Sequence, residues 1–135
     1  MGTFRAMDET WRFKAHELMC QLVNNLVQSM GGEADLHIDV GYPCVMNNEK
    51  VTAEAMSLAS DFMGAENVSE TELRMGAEDF AFYSQKVPAC FYRLGTGNPG
   101  KGITSNIHTP TFNIDEDALK IGMGLMAYHA ISELS

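Results

Sequence analysis

The chain has 135 residues and a formal net charge of −9, from 9 basic and 18 acidic side chains. Nucleic acids and anionic membranes both need a basic face on their partner, so this charge argues against either as the main partner. A hydrophobic content of 45% is typical of a globular protein rather than a disordered one, and no apolar run has the length of a membrane span.

The first forty residues predict a strand, a long helix and a second strand. Residues 2–6 are short and mixed, which suits a strand. Between Asp8, a helix N-cap, and the glycines at 31–32, apolar residues recur with a period of about 3.6, which predicts an amphipathic helix. Residues 34–42 alternate apolar and polar side chains, which predicts a half-buried strand. Such a unit is too small to bury a core alone, so we expect it to pack on more of its own domain or on a partner chain.

The rest of the chain predicts further helices alternating with strands. Tyr42-Pro43 interrupts strand pairing, and we place a domain boundary there. The expected elements after it are a helix capped by Asn47 or Asn48 and ended by Gly64, a strand at 68–73, a short helix at 79–85, a buried strand at 90–94, and a last helix after a capping-box sequence at 113–116. Gly122 and Gly124 disfavour that last helix by about 1 kcal/mol each, which is tolerable if it presses closely on a sheet.

The three cysteines are odd in number and include no Cys-x-x-Cys pair. This excludes a structural zinc finger and favours reduced, buried thiols. Residues 1–5 also lack the apolar segment of a signal peptide. We therefore expect a cytoplasmic protein.

His108 is the histidine that differs from the other three. It lies in a loop that follows a glycine-rich run and precedes a capped helix, and such loops carry the sites of open α/β sheets. It is a candidate metal ligand or catalyst, with an ordinary loop histidine as the alternative. His16, His37 and His129 have no acidic or thiol side chains converging on them in sequence and are expected to be ordinary surface or satisfied histidines.

Two further features have both a functional and a structural interpretation. Glu78-Asp79 can bind metal, orient a ligating imidazole or act in acid–base chemistry, or can simply occupy the first turn of a short helix.

The run from Gly95 to Gly100 satisfies G-x-G-x-x-G, but no helix opens after it and Gly102 replaces the P-loop hydroxyl. Nucleotide binding is therefore disfavoured. The alternative is a loop whose backbone approaches a substrate or a neighbouring element.

Read together, the ordered segments resemble a known family. They are Gly-Thr-Phe-Arg at 2–5, the 8–31 helix, Gly-Tyr-Pro at 41–43, Gly-Ala-Glu-Asp-Phe at 76–80, Leu-Gly-Thr-Gly at 94–97, His-Thr-Pro at 108–110 and Asp-Glu-Asp-Ala-Leu at 115–119. The resemblance is to the hippurate hydrolases and N-acyl-amino-acid amidohydrolases, dinuclear-metal peptidases related to aminoacylases. Each segment alone is weak evidence, whereas the ordered set is specific and spans nearly the whole chain.

The resemblance implies an α/β fold of two parts. Residues 1–42 would be the second half of an α+β lid or dimerisation domain, and residues 43–135 the C-terminal part of a three-layer α/β/α catalytic domain. The general base and most metal ligands would belong to an absent N-terminal half. The fragment would then be inactive alone and carry no catalytic residue of its own. The resemblance also implies a homodimer formed through the lid; a non-catalytic dimerisation module is the alternative.

The resemblance assigns roles residue by residue. His108 matches the last metal ligand, and Arg5 the lid arginine that binds the substrate carboxylate. Glu78 and Asp79 would lie beside the metals. Gly95, Thr96 and Gly97 would line the substrate pocket through backbone groups. The implied cofactor is a pair of divalent ions, with zinc expected and manganese, cobalt or nickel as alternatives, and the implied reaction is hydrolysis of an N-acyl amino acid or short peptide.

Overall fold

A computed structural model describes residues 1–135. Its helices are α1 (Glu9–Ser29), α2 (Glu49–Met63), α3 (Ala81–Ser84) and α4 (Asp117–Glu133), with 3₁₀ turns at Ala65–Asn67 and Pro99–Lys101. None of the four helices is long and apolar enough to cross a bilayer.

The chain divides into two compact units. The first contains residues 1–47 and 72–89, and the second contains residues 48–71 and 90–135. Helices α1 and α3 therefore belong to the first unit, and α2 and α4 to the second. The expected domains, 1–42 and 43–135, concern the complete protein and remain a prediction.

The ends of α1 are set by the residues that the sequence indicates. The Asp8 carboxylate accepts a hydrogen bond from the Trp11 N–H at 2.6 Å, which satisfies one of the free donors of the first turn. At the other end, Gly31 has a φ of 77°, and the N–H groups of Gly31 and Gly32 donate to the carbonyls of Gln28 and Val27 at 2.9 and 3.0 Å. This is a Schellman motif, and both predicted caps are confirmed.

Helices α2 and α3 also follow local signals. The Asn48 side chain accepts from the Val51 N–H at 3.1 Å, and Gly64, with a φ of 89°, ends α2. The short helix α3 is flanked by turns, so the regular part is narrower than the expected 79–85.

The predicted strands do not form. Segments 2–6, 34–42, 68–73 and 90–94 contain no strand residues, and the β pairing present is an isolated bridge between Asn98 and Ile103. An alternating or apolar pattern specifies a face, but a strand also needs a neighbour about 4.8 Å away to complete its hydrogen bonds. No segment of this chain supplies that neighbour. The structure is helical with long extended connections, and the expected three-layer α/β/α arrangement is not observed.

The expected capping box at 113–116 is also wrong. Helix α4 begins at Asp117, and the preceding Glu116 makes no capping hydrogen bond through its side chain. The Asp115 carboxylate instead accepts hydrogen bonds from Lys101 and Asn98. Asp115 Oδ1 also accepts from the Asp117 N–H at 3.3 Å, so this carboxylate serves both the first turn of α4 and the long-range partners.

In the first unit, Glu9 connects α1 to the segment that follows the predicted boundary. Its carboxylate accepts from the Arg12 Nε at 3.0 Å and from the Cys44 N–H at 2.8 Å. Burial raises the pKa of Glu9, but these hydrogen bonds outweigh burial and the net pKa is lowered. Burial and the nearby Glu9 charge raise the pKa of the Cys44 thiol, which keeps it protonated and argues against a nucleophile there.

In the second unit, α2 packs on α4. The Phe62 ring stacks on Tyr128 with centroids 5.7 Å apart, and Leu125 of α4 is only 2% exposed. The tip of the Phe62 ring faces Gly124, since a Cβ added there would stand 2.8 Å from the Phe62 Cζ. The expected close approach is therefore present at Gly124, where the partner is a helix rather than a sheet, and Gly122 approaches Leu94 of the 90–94 segment.

Candidate functional site

His108 lies at the tip of a loop whose two ends are held together. We call residues 104–114 the His108 loop. At its base, Asn98 and Ile103 exchange two backbone hydrogen bonds of 2.9 Å, and the Asp115 N–H donates to the Thr96 carbonyl at 2.8 Å. Further out, the hydroxyls of Ser105 and Thr111 are 2.8 Å apart and bridge the two sides. The two sides of the loop are therefore held together at the base and again at Ser105 and Thr111.

The backbone at His108 is strained. His108 is the one non-glycine residue of the chain with a positive φ, at 62°. This left-handed conformation costs an L-residue about 1–2 kcal/mol, although histidine tolerates it better than most residues. Such strain concentrates at functional sites, where the surrounding structure enforces it. The imidazole is exposed and makes no hydrogen bond within this chain, so its ring nitrogens are available to a ligand.

A charged cluster fixes the base of the loop. The Lys101 ammonium donates to Asp115 at 2.7 Å and to Asp117 at 2.6 Å, and the Asn98 amide donates to the second Asp115 oxygen at 2.6 Å. The hydrogen bonds from Lys101 and then Asn98 lower the pKa of Asp115 to about 2. The same carboxylates, Asp115 first, raise the pKa of Lys101. Lys101 and Asp115 are therefore both ionised at neutral pH.

The cleft beside this cluster is acidic. It is open, has a volume of about 320 Å³, and is lined by three carboxylates and one ammonium, from Asp115, Glu116, Asp117 and Lys101. Its net negative charge disfavours a phosphate or carboxylate ligand. We therefore treat the cluster as part of the loop's support.

The glycine-rich run forms a turn that uses its own backbone donors. The N–H groups of Lys101 and Gly102 donate to the carbonyls of Asn98 and Pro99 at 3.1 and 3.0 Å. Gly102 adopts a φ of 72°, which favours glycine. These amides do not form a cradle for phosphate, which weakens the nucleotide interpretation further. The Thr96 carbonyl already accepts from the Asp115 N–H. The expected pocket-lining role of Gly95, Thr96 and Gly97 remains a prediction.

The other candidate residues lie in the first unit. The carbonyls of Glu78 and Asp79 accept from Ala81 and Phe82 at 3.1 and 3.0 Å, so both residues form the turn that opens α3. This placement agrees with the structural alternative for the pair. The Arg5 guanidinium donates to the Met75 carbonyl, near the start of the same acidic segment. The functional roles of these three residues remain predictions.

The residues of this chain fit one ligand position of a metal site. No group of three or more His, Cys, Asp or Glu side chains is close enough to hold an ion. Catalytic zinc takes about three protein ligands, and His108 supplies one suitable nitrogen. The other donors of such a site would have to come from elsewhere.

Sequence reasoning missed the residues that support the loop. Lys101 and Asp115 are 14 residues apart, a separation that matches no helical or hairpin spacing. Asn98 and Asp115 are 17 apart. Only the sequence Asn-Pro-Gly at 98–100, typical of a tight turn, indicates that the chain reverses here.

Comparison with known proteins defines the class of protein. Residues 5–131 match the family model described as peptidase family M20/M25/M40. This match covers most of the chain, and the chain therefore belongs to that family of hydrolases. The resemblance to metallopeptidases and amidohydrolases drawn from the motifs is confirmed.

Individual relatives have several hydrolytic activities in their names. The chain is 39% identical over 123 residues to thermostable carboxypeptidase 2 of Saccharolobus solfataricus, covering 90% of this chain and 30% of that protein. It is 32% identical over 130 residues to the IAA-amino acid hydrolase ILR1-like 6 of Arabidopsis thaliana, covering 93% and 28%. It is 30% identical over 128 residues to the N-acetyldiaminopimelate deacetylase of Exiguobacterium sibiricum, covering 95% and 33%.

The chain thus spans about a third of the length of these relatives. No solved structure matches it.

Proposed function

We propose that this chain is the C-terminal part of a metal-dependent amidohydrolase that cleaves the amide bond of N-acyl amino acids or short peptides. The observation that carries the proposal is the family match over residues 5–131. The named relatives support it, because a carboxypeptidase, an amino-acid conjugate hydrolase and a deacetylase all cleave an amide bond next to an amino acid.

Packing supports the idea that other segments complete the domain. The chain contains no large side chain that is fully buried, whereas Leu22, Leu73 and Met123 are 67%, 81% and 68% exposed. Apolar area of this extent normally marks a surface that another segment or chain covers. The segments with strand-like sequences would find their pairing partners in the same missing structure. The three-layer α/β/α arrangement thus stays part of the proposal for the complete protein.

Each candidate residue has a role in this proposal. The neutral His108 imidazole would donate a nitrogen lone pair to one of two divalent ions, zinc by preference and manganese, cobalt or nickel as alternatives. Bound ions would supply Lewis acidity for attack on the amide carbonyl. Arg5 would hold the substrate carboxylate through two parallel hydrogen bonds. Glu78 and Asp79 would lie beside the metals.

We also propose that the 135-residue chain is inactive by itself. One imidazole cannot hold a hydrolytic metal ion, and no cluster on this chain adds the missing ligands. The three cysteines are free thiols, which supports the proposed cytoplasmic location.

The experiment compares two histidine variants in the complete polypeptide that contains these residues. His108→Ala should lower kcat/KM for N-acyl amino acids by at least about a hundredfold at saturating zinc, because it removes a metal ligand. His37→Ala, at another exposed histidine, is the matched control and should retain activity. Activity of His108→Ala equal to that of the control would remove His108 from the site. Absence of metal-dependent hydrolysis in the unmodified protein would overturn the proposed function.

A second candidate function is self-association through α1, as the homodimer expected for the lid implies. Trp11, Leu18, Leu22 and Leu26 follow helical spacing and are 56%, 43%, 67% and 58% exposed. An exposed apolar stripe on a helix is a common dimer contact. Light scattering should show a dimer that Leu22→Glu dissociates and that the neighbouring Gln21→Glu does not. A monomeric unmodified chain at micromolar concentration would reject this candidate.

A further inference from the structure

We propose that Asp115 is a positioning residue that holds the His108 loop in its ligand-presenting conformation. The ligand role of His108 rests on the proposed function, whereas the holding of the loop rests on the geometry of this chain. Nothing in the motif that contains Asp115 indicates this task, since the sequence there predicts a helix cap. The structure gives its carboxylate a second task at the loop, beside its 3.3 Å hydrogen bond from the Asp117 N–H.

Asp115 follows the C-terminal end of the loop and makes hydrogen bonds to three residues that precede its N-terminal end. Its N–H donates to the Thr96 carbonyl at 2.8 Å, one carboxylate oxygen accepts from Asn98 at 2.6 Å, and the other accepts from Lys101 at 2.7 Å. Asn98 is in turn bonded to Ile103, which begins the other end of the loop. Asp115 therefore links the C-terminal end of the loop to the residues before its N-terminal end.

Asp117 shows that charge alone does not give this role. It accepts from the same Lys101 ammonium at 2.6 Å and pairs with Lys120 at 3.9 Å, but the hydrogen bonds to Thr96 and Asn98 belong to Asp115. Its side chain is 67% exposed, whereas that of Asp115 is 14% exposed. An exposed ion pair of this kind contributes little to stability or order. The two aspartates therefore form a matched pair for comparison. Both accept from Lys101, and Asp115 also bonds to Thr96 and Asn98 at the loop base.

The strain at His108 explains why the base must be held. The residue is kept at a φ of 62°, a conformation that a free loop would leave. If the base opens, fewer molecules present the imidazole in the binding geometry. The apparent affinity for the ion falls in proportion to that fraction, while the fully bound state is unchanged.

The first test needs no enzyme activity. Amide hydrogen exchange followed by mass spectrometry on the 135-residue chain compares Asp115→Asn with Asp117→Asn. We expect exchange in residues 104–114 to be about tenfold faster in Asp115→Asn, the size of change expected when a charge-assisted hydrogen bond is lost, with α2 and α4 unaffected. Asp117→Asn should match the unmodified chain. Equal exchange in the two variants would overturn the proposal.

The second test uses the complete polypeptide and separates affinity from chemistry. Competition with a chromophoric zinc chelator should give a Kd about tenfold weaker in Asp115→Asn and unchanged in Asp117→Asn. Excess zinc should restore kcat in Asp115→Asn, because it fills the site in the fraction of molecules that present the imidazole. The exchange result, confined to residues 104–114, separates this effect from general destabilisation. An unchanged zinc Kd, or a kcat that zinc does not restore, would overturn the positioning role.

Two further comparisons keep the outcomes distinct. If Asp115→Asn does not fold, Lys101→Met removes the ammonium from the same carboxylate and should give the same exchange and zinc results in weaker form; unmodified behaviour would count against the proposal. If the unmodified complete protein binds no zinc, the proposed function fails, but faster exchange confined to 104–114 would still establish Asp115 as the anchor of the loop.

Discussion

Gly124 should resist replacement by alanine, although alanine is the better helix former. A Cβ atom added at Gly124 would stand 2.8 Å from the Phe62 Cζ and 3.6 Å from both neighbouring ring carbons. Carbon atoms in contact prefer about 3.5–4.0 Å, so the ring would have to move. Phe62 stacks on Tyr128 at 5.7 Å, and retreat of the ring would disrupt that pair.

Two opposing terms determine the size of the effect. Replacing glycine by alanine within a helix gains about 1 kcal/mol of helix propensity. Adding a methyl group to an occupied contact costs typically 1–3 kcal/mol through displaced side chains. The net expectation is a loss of about 1 kcal/mol in the free energy of unfolding. Urea denaturation of the 135-residue chain, followed by far-UV circular dichroism, measures this change.

Two comparisons identify the cause of the loss. At Gly122 the added Cβ would stand 2.9 Å from the Leu94 Cδ2, the end of a flexible side chain that can rotate away, so Gly122→Ala should be neutral or stabilising by up to about 1 kcal/mol. In a Phe62→Leu background the Cζ atom is absent, and Gly124→Ala should gain its full propensity. Stabilisation by Gly124→Ala in the unmodified chain would refute the close contact between α4 and α2.

Two further predictions concern the His108 loop. His108→Gly should be more stable than His108→Ala by about 1 kcal/mol in urea denaturation, because only glycine takes a φ of 62° without strain; equal stability would mean that the backbone there is not left-handed. Because the folded pKa of Asp115 is lowered to about 2, its contribution to stability should be present above about pH 4 and be lost as the pH falls towards 2. In Asp115→Asn the urea midpoint should depend less on pH within that window. A pH dependence equal to that of the unmodified chain would contradict the ion pair.

The helix ends were predictable because their signals are local. Asp8 caps α1 through an N–H three residues away, and Gly31 supplies the left-handed residue that ends it. Asn48 caps the start of α2 through the Val51 N–H, and Gly64, with a φ of 89°, ends it. Each interaction spans a few residues, so the sequence around it contains the whole cause.

The strands were not predictable from this chain because strand formation is a pairwise property. The alternation at 34–42 specifies which side chains share a face, and it does so whether or not a neighbour is present. Without a ladder partner the same residues remain extended and partly exposed. The isolated bridge between Asn98 and Ile103 shows the contrast, since a tight turn brings those two residues together.

In the candidate site, one part could be predicted from local sequence signals and another part depends on long-range contacts. His108 could be singled out from its position after a glycine-rich run, but the conformation that presents its ring depends on Asp115, Lys101 and Asn98, whose contacts span 14 and 17 residues. Asp115 accepts from the Asp117 N–H at the start of α4 and also makes two charge-assisted hydrogen bonds, from Lys101 and Asn98, at the base of the loop. The local sequence indicates the first of these roles and not the second, because the second depends on residues that the fold brings together. These long-range contacts are the physical reason to look for the support of His108 in Asp115.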